Sequence, residues 1–187
     1  SDAINKGWNL ANGEIFNWLN SDDYLSELSL YNIALAFIKS DKKSLLVGNV
    51  LNFDSTGNVK VISQKNITFL NLLKFWDTDC IWHQPGIFVP SNLFGKSILD
   101  LTLHYAMDLD LLLDLTSNAN VIYLNKVIHH FRIHNNSKGV SSPENTVLEK
   151  MKIVNKYYNG DLFLTFLDKY KIPQKLYFDL EKEDRKS

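Results

Sequence analysis

The chain has 187 residues, 45% of them hydrophobic and 12% aromatic, which suits a domain with its own core and excludes a disordered segment. A formal net charge of −1 argues against a basic nucleic-acid groove and against a polybasic membrane patch. Cys80 is the only cysteine, so no intramolecular disulfide can form, and no apolar run is long enough to span a bilayer.

The chain opens on the polar stretch Ser1-Asp2-Ala3-Ile4-Asn5-Lys6, with no signal-peptide pattern and no initiator Met. It starts inside a helix pattern and is therefore expected to be a fragment. Ile4, Trp8 and Ala11 fall near helical spacing over 2–12, and Gly13 is the stop. Glu14 to Leu19 is short, apolar and aromatic, and predicts a buried strand. It runs into Asn20-Ser21-Asp22-Asp23. Residues 26–39 predict a helix with Leu28, Tyr31, Leu35 and Phe37 or Ile38 on one face. Leu45 to Phe53 predicts a strand, Asp54 to Asn58 a turn, and Val59 to Ser63 the returning strand of a hairpin. Short helices are expected over 67–76 and 91–96, on either side of a strand at Ile87 to Val89. A buried, leucine-rich helix is expected over 108–117. Val121 to Leu124 and Val127 to His134 read as two strands, and 143–158 and 160–170 as helices before a charged tail. Strands and helices mix throughout, so the fold class is α/β.

Four segments carry residues suited to chemistry. Asp22 and Asp23 follow a strand, where α/β sheets bind ligands, and their oxygens suit Mg²⁺ or Mn²⁺. They also suit a turn or a helix cap. Asp108 and Asp110 stand at the start of an apolar helix. Asp108 is a candidate general base with Asp110 supporting it, or else a simple N-terminal cap. Trp82-His83-Gln84-Pro85-Gly86 offers a ring, an imidazole and an amide to a hydroxyl-rich ligand; buried structural side chains are the alternative. In His129-His130-Phe131-Arg132-Ile133-His134, strand alternation puts His130, Arg132 and His134 on one face, suited to phosphate, or to an exposed edge. A zinc hydrolase using His83, His104, His130 and His134 with the aspartates is a further reading, but it lacks a known zinc spacing.

Taken in order, these segments resemble family 2 glycosyltransferases of the GT-A type. The resemblance rests on SDAINKGWNLANGEIFNWLNSDD (Ser1 to Asp23), HQPGIFVP (His83 to Pro90), the segment Tyr105 to Leu115, and FRIHNNSKG (Phe131 to Gly139). It implies an incomplete GT-A, Rossmann-like mixed sheet with flanking helices over 1–140, plus a C-terminal helical appendage over 141–187. An N-terminal nucleotide-binding βαβ segment of roughly 80 residues is expected to be missing. The resemblance makes Ser21-Asp22-Asp23 the metal motif, with Asp23 the more direct ligand to a divalent Mn²⁺ or Mg²⁺ ion. Asp108 becomes the base, and His134 a late contact to metal or diphosphate. His83, Gln84, Asp110, Arg132, Asp2 and Lys6 become substrate-binding residues. Leu112 and Asp114 depart from the family's Arg or Trp in the helix after the base.

The implied activity is inverting transfer from a nucleotide-sugar donor to a glycan, lipid-linked or protein acceptor, in bacterial cell-surface polysaccharide or glycan synthesis. The expected setting is cytoplasmic, at the inner face of the membrane with peripheral association, and without nucleic acid. A non-catalytic carbohydrate- or partner-binding fragment is the alternative.

Overall fold

A computed structural model describes residues 1–76, 79–94, 99–134 and 142–157. The first helix, α1, is Asp2–Leu10. Its Trp8 is buried against Phe94 (ring centroids 4.6 Å), Trp18 (5.3 Å) and Phe16 (6.2 Å). This aromatic cluster anchors α1 over the sheet. Asn5 ties it down further by exchanging two hydrogen bonds with the backbone of Leu99.

Of the strand expected over Glu14 to Leu19, only Ile15–Phe16 (β1) pairs. Asn17 ends the ladder by turning its side-chain amide onto the carbonyls of Pro85 and Ile87. A second short strand, Tyr24–Leu25 (β2), follows the paired aspartates. Helix α2 is Ser29–Lys39, and Leu28 precedes it in the left-handed region at φ 60°. Its inward stripe is Ser29, Ile33 and Phe37; of the expected face, Phe37 turns inward and Leu35 is half-buried, whereas Leu28, Tyr31 and Ile38 are exposed. The helix starts three residues late, and Ser29 Oγ donates to Ile128 O at 2.8 Å, which turns the i, i+4, i+8 stripe toward the sheet.

The central strand is Leu45–Phe53 (β3), and Val59–Ile62 (β4) returns beside it as the expected hairpin. Gly57 takes the positive φ (86°) in that turn. Helix α3 is Phe69–Leu73, capped by Thr68, whose hydroxyl accepts from Asn71 N. Strand β5 is Ile87–Pro90, α4 is Met107–Thr116, β6 is Val121–Arg132 and α5 is Pro143–Tyr157. The helix expected over 160–170 and the charged tail lie outside the described residues.

The sheet order is β1-β5-β3-β6-β2, with β4 also on β3. β3 and β6 are parallel; the other pairings are antiparallel. β6 was expected as two strands because Asn125-Lys126 is polar. Instead one strand bulges there. Tyr123 pairs with Val47 and Val127 with Asn49, so β6 uses extra residues to span the same distance. Gly48 sits at this irregularity. A Cβ there would lie 2.4 Å from Ile128 side-chain atoms, so only glycine lets β6 approach so closely.

The main core joins β3, β5, α3, α4 and α5, with Leu45, Val47, Leu72, Leu109, Leu113, Ile153 and Val154 buried in it. A second core packs Ile33 and Phe37 of α2 on Leu46, Phe88 and Ile128 across the other sheet face. Residues from α5 thus complete the same core as α4. The 140/141 boundary itself lies outside the described residues. Among the described residues no helix is long and apolar enough to cross a membrane.

Candidate active site

β1, β3 and β6 run in one direction, and Asp22, Asp23, His83, Gln84, Arg132 and His134 lie near the ends of these strands or the segments joined to them. Open α/β sheets place ligands there. The turn after β1 carries Asp22 and Asp23, the end of β6 carries Arg132 and His134, and the segment entering β5 carries His83 and Gln84.

The two aspartates have different surroundings. The Asp23 side chain is only 1% exposed. Its Oδ2 accepts from Asn20 Nδ2 at 2.8 Å and its Oδ1 from the Arg132 N–H at 2.9 Å. His129 Nε2 stands 3.4 Å from Oδ2, in contact but without good hydrogen-bond geometry. Asp23 therefore clamps the end of β6 to its own turn. Asp22 is 32% exposed at the side chain, and its Oδ2 lies 3.1 Å from His134 Nε2. Asp23, which the resemblance makes the direct ligand, is the buried one of the two, and Asp22 is the more exposed. Among the described residues no group of three or more His, Cys, Asp or Glu side chains converges. Asp22 with His134 still fits a hard divalent ion, because such ions need only one or two protein ligands when phosphates and water complete the shell.

His129 is fully buried and was not singled out as functional. Its neighbour His130 stacks on Tyr24, its cross-strand partner, with ring centroids 4.4 Å apart. Desolvation lowers the pKa of both. The polar face expected from His130, Arg132 and His134 is thus divided. His130 is spent on Tyr24, His134 pairs with Asp22, and the Arg132 side chain is exposed and makes no ion pair among the described residues.

His83 links this turn to a pocket. Its ring meets Phe131 edge-on at 4.7 Å. Its backbone N–H donates to Gln64 Oε1, and Gln64 Nε2 donates to Gly48 O at 2.6 Å. Gln64 thereby fixes the segment before β5 onto β3. Gly86 lies against it: a Cβ there would come within 2.3 Å of Gln64 Nε2. Burial, then the adjacent His129, push the His83 pKa down to about 4, against an opposing pull from Asp23.

That value gives a prediction. His83 in the fold stays neutral at pH values where an unfolded histidine, near 6.5, takes a proton. Its contribution to stability is complete above about pH 6.5 and is lost as pH falls toward 4. Urea titrations from pH 8 to 4 are expected to show a loss of up to about 3 kcal/mol, and His83→Gln should flatten the profile.

The pocket has a volume of about 550 Å³ and is lined by Phe75, Cys80, Ile81, Trp82, His83, Gln84, Asp108 and Lys150. Asp108 reaches it from the first turn of α4 and accepts a hydrogen bond from Leu109 N at 2.9 Å. The residue is half-buried, and the desolvation of its carboxylate, opposed by Lys150, raises its pKa. Gln84 Nε2 is shielded from solvent and has no hydrogen-bond partner among the described residues.

Asp110 does not support Asp108. Two residues along a helix is a turn of about 200°, so the side chains diverge. Asp110 binds Lys156 Nζ at 3.0 Å and lines a separate cavity of about 380 Å³ with Asp100, Asp114 and Tyr157. Asp110→Asn is expected to leave turnover within about twofold and to cost about 1–3 kcal/mol, by activity assay and thermal melt. Asp2 and Lys6 likewise pair with each other at 2.8 Å, exposed on α1.

Two solved structures of S. aureus TarS, a glycosyltransferase, share the fold. One superposes with a TM-score of 0.54 at 22% identity, covering 81% of this chain and 26% of that one. The other, TarS 1-349, gives 0.50 at 20% identity, with 81% and 42% covered. The chain thus spans about a quarter to two fifths of these neighbours. A family model described as Csd3 N-terminal matches residues 154–187, of which only Val154 to Tyr157 are among the described residues. No curated protein matches the chain. At these identities the likeness is one of architecture: the chain has a glycosyltransferase-like mixed α/β fold.

Proposed function

We propose that the chain is the metal- and acceptor-facing part of an inverting, nucleotide-sugar-dependent glycosyltransferase of the GT-A, family 2 type. One observation carries this reading. A half-buried carboxylate, Asp108, opens into a pocket that also holds His83 and an amide, Gln84, whose Nε2 has no partner among the described residues, and His83 packs on Phe131 of β6, the strand that leads to His134 and its neighbour Asp22.

In this mechanism Asp108 accepts the proton of an acceptor hydroxyl. The freed oxygen forms a bond to the anomeric carbon as the bond to the leaving diphosphate oxygen breaks on the opposite face. Gln84 donates to a sugar hydroxyl, and Trp82 offers its ring edge or face to the sugar. His83 is neutral above about pH 4 and can hydrogen-bond without adding charge. Asp22 and His134 would hold a divalent Mn²⁺ or Mg²⁺ ion, which when bound neutralises charge on the leaving diphosphate. Asp23 keeps that pair in place without ligating. The acceptor is a glycan, a lipid-linked sugar or a protein, reached from the cytoplasmic side of a membrane.

The test is incubation with Mn²⁺ and a panel of nucleotide sugars, following release of nucleoside diphosphate. Metal-dependent release with at least one donor is the expected result. No release across the panel, with saturable carbohydrate binding by calorimetry, would instead favour a non-catalytic binding module.

A further inference from the structure

Helix α5 lies beyond every motif that carried the family resemblance, yet it forms a wall of the pocket. Lys150 lines it, and the adjacent Glu149 fixes the helix in place. The Glu149 carboxylate accepts three backbone hydrogen bonds, from His104 N (2.8 Å), Tyr105 N (2.5 Å) and Ala106 N (2.6 Å). Those residues lead directly into α4, whose first turn carries Asp108. Charge-assisted bonds of this kind are among the stronger ones, and three of them on one carboxylate hold α5 rigidly against the base of α4. The next residue, Lys150, is thereby carried into the pocket. Its ammonium stands 5.4 Å from the Trp82 ring centroid and 5.6 Å from that of Phe75. Among the described residues it has no carboxylate within ion-pair distance, and it shares the pocket with Asp108.

A carboxylate partly shielded from water is helped to stay ionised by a nearby cation, and only the ionised form can accept a proton. The charged and titratable groups around Asp108 are few. From α5 come Lys150 and Glu149, and Glu149 is spent on three N–H groups. From the segment entering β5 come His83 and Cys80, neither of which is positive at neutral pH. On α4 itself, Asp110 turns away to Lys156. Lys150 is therefore the one cation lining this pocket among the described residues.

We propose that Lys150 is a positioning residue for Asp108: delivered by the Glu149 clamp and held over Trp82 and Phe75, it keeps the carboxylate in its charged, proton-accepting form. The direction of the Coulombic effect agrees, since Lys150 opposes the upward push of burial on Asp108. The proposal rests on the glycosyltransferase reading for its kinetic consequence, but not for its electrostatic one.

The experiment has two arms on Lys150→Met, which keeps most of the apolar stem, with Lys150→Arg as the conservative control. In the first, kcat/KM for transfer is followed against pH. The acid limb is expected to move to higher pH in Lys150→Met, with loss on the order of tenfold at neutral pH that is recovered at alkaline pH, and to stay in place in Lys150→Arg. A uniform loss at all pH values would mean a merely structural role and would overturn the proposal. In the second, the Asp108 carboxyl carbon, assigned by its absence in Asp108→Asn, is titrated by NMR. An upward move in Lys150→Met supports the proposal with or without turnover; an unmoved titration overturns it. If instead Asp108→Asn turns over like the wild type, the base assignment fails while the NMR arm still decides the electrostatics.

Discussion

Asp108→Asn is expected to lower the rate of sugar transfer by about 10²–10⁴-fold, the contribution of one positioned base. The isosteric amide keeps the volume and can still accept from Leu109 N. It cannot take a proton from an acceptor hydroxyl. The half-buried charge also disappears, so thermal stability should hold or rise slightly, because desolvation already opposes ionisation at this site. Loss of turnover with an unchanged or higher melting temperature is therefore the specific signature. Turnover within about twofold of wild type would remove Asp108 from the reaction.

The second large effect separates two neighbours that look alike in sequence. Asp22→Ala should abolish metal-dependent activity and weaken Mn²⁺ binding by calorimetry, with little change in stability, since its side chain is part-exposed and faces His134. Asp23→Ala should do the reverse. It removes the acceptor of the Arg132 N–H and of the Asn20 amide and leaves a gap beside the buried His129 ring, at a cost of about 1–3 kcal/mol read by urea melt. Equal losses of stability in the two variants would contradict this division of labour.

The local elements were largely legible. The hairpin of β3 and β4 shows as two β-rich runs around Asp54 to Asn58, where Gly57 supplies the positive φ. The helix from Met107 to Thr116 shows as a leucine run after an acidic start. Errors arose where contact across the chain overrode local pattern. Asn125 and Lys126 looked like a break between two strands. In the fold they bulge outward, with Lys126 Nζ on Asn32 Oδ1 at 2.8 Å, and the strand continues because β3 supplies a partner on both sides of the bulge. The face of α2 differs from its local pattern at Leu28 and Tyr31 for the same kind of reason: Ile33 and Phe37 pack on Leu46, Phe88 and Ile128, and Ser29 hydrogen-bonds Ile128, 99 residues away in the chain.

For the candidate site, residue types in order single out Asp22, Asp23, His83, Gln84, Asp108 and His134 as candidates, because carboxylates, imidazoles and amides are recognisable wherever they fall. What each one does was a tertiary matter. Asp23 and Asp22 are equivalent by composition, and only the approach of β6, over 100 residues later, buries the first and leaves the second facing His134. Asp110 looked like a partner of Asp108 until helix geometry turned it toward Lys156. Lys150 carried no signal at all, being one lysine among many on an amphipathic helix. The hydrogen bonds of Glu149, spanning more than 40 residues, bring it to the pocket. Chemistry resides in side chains and can be read along the chain, whereas burial, pairing and charge balance depend on which distant segments meet.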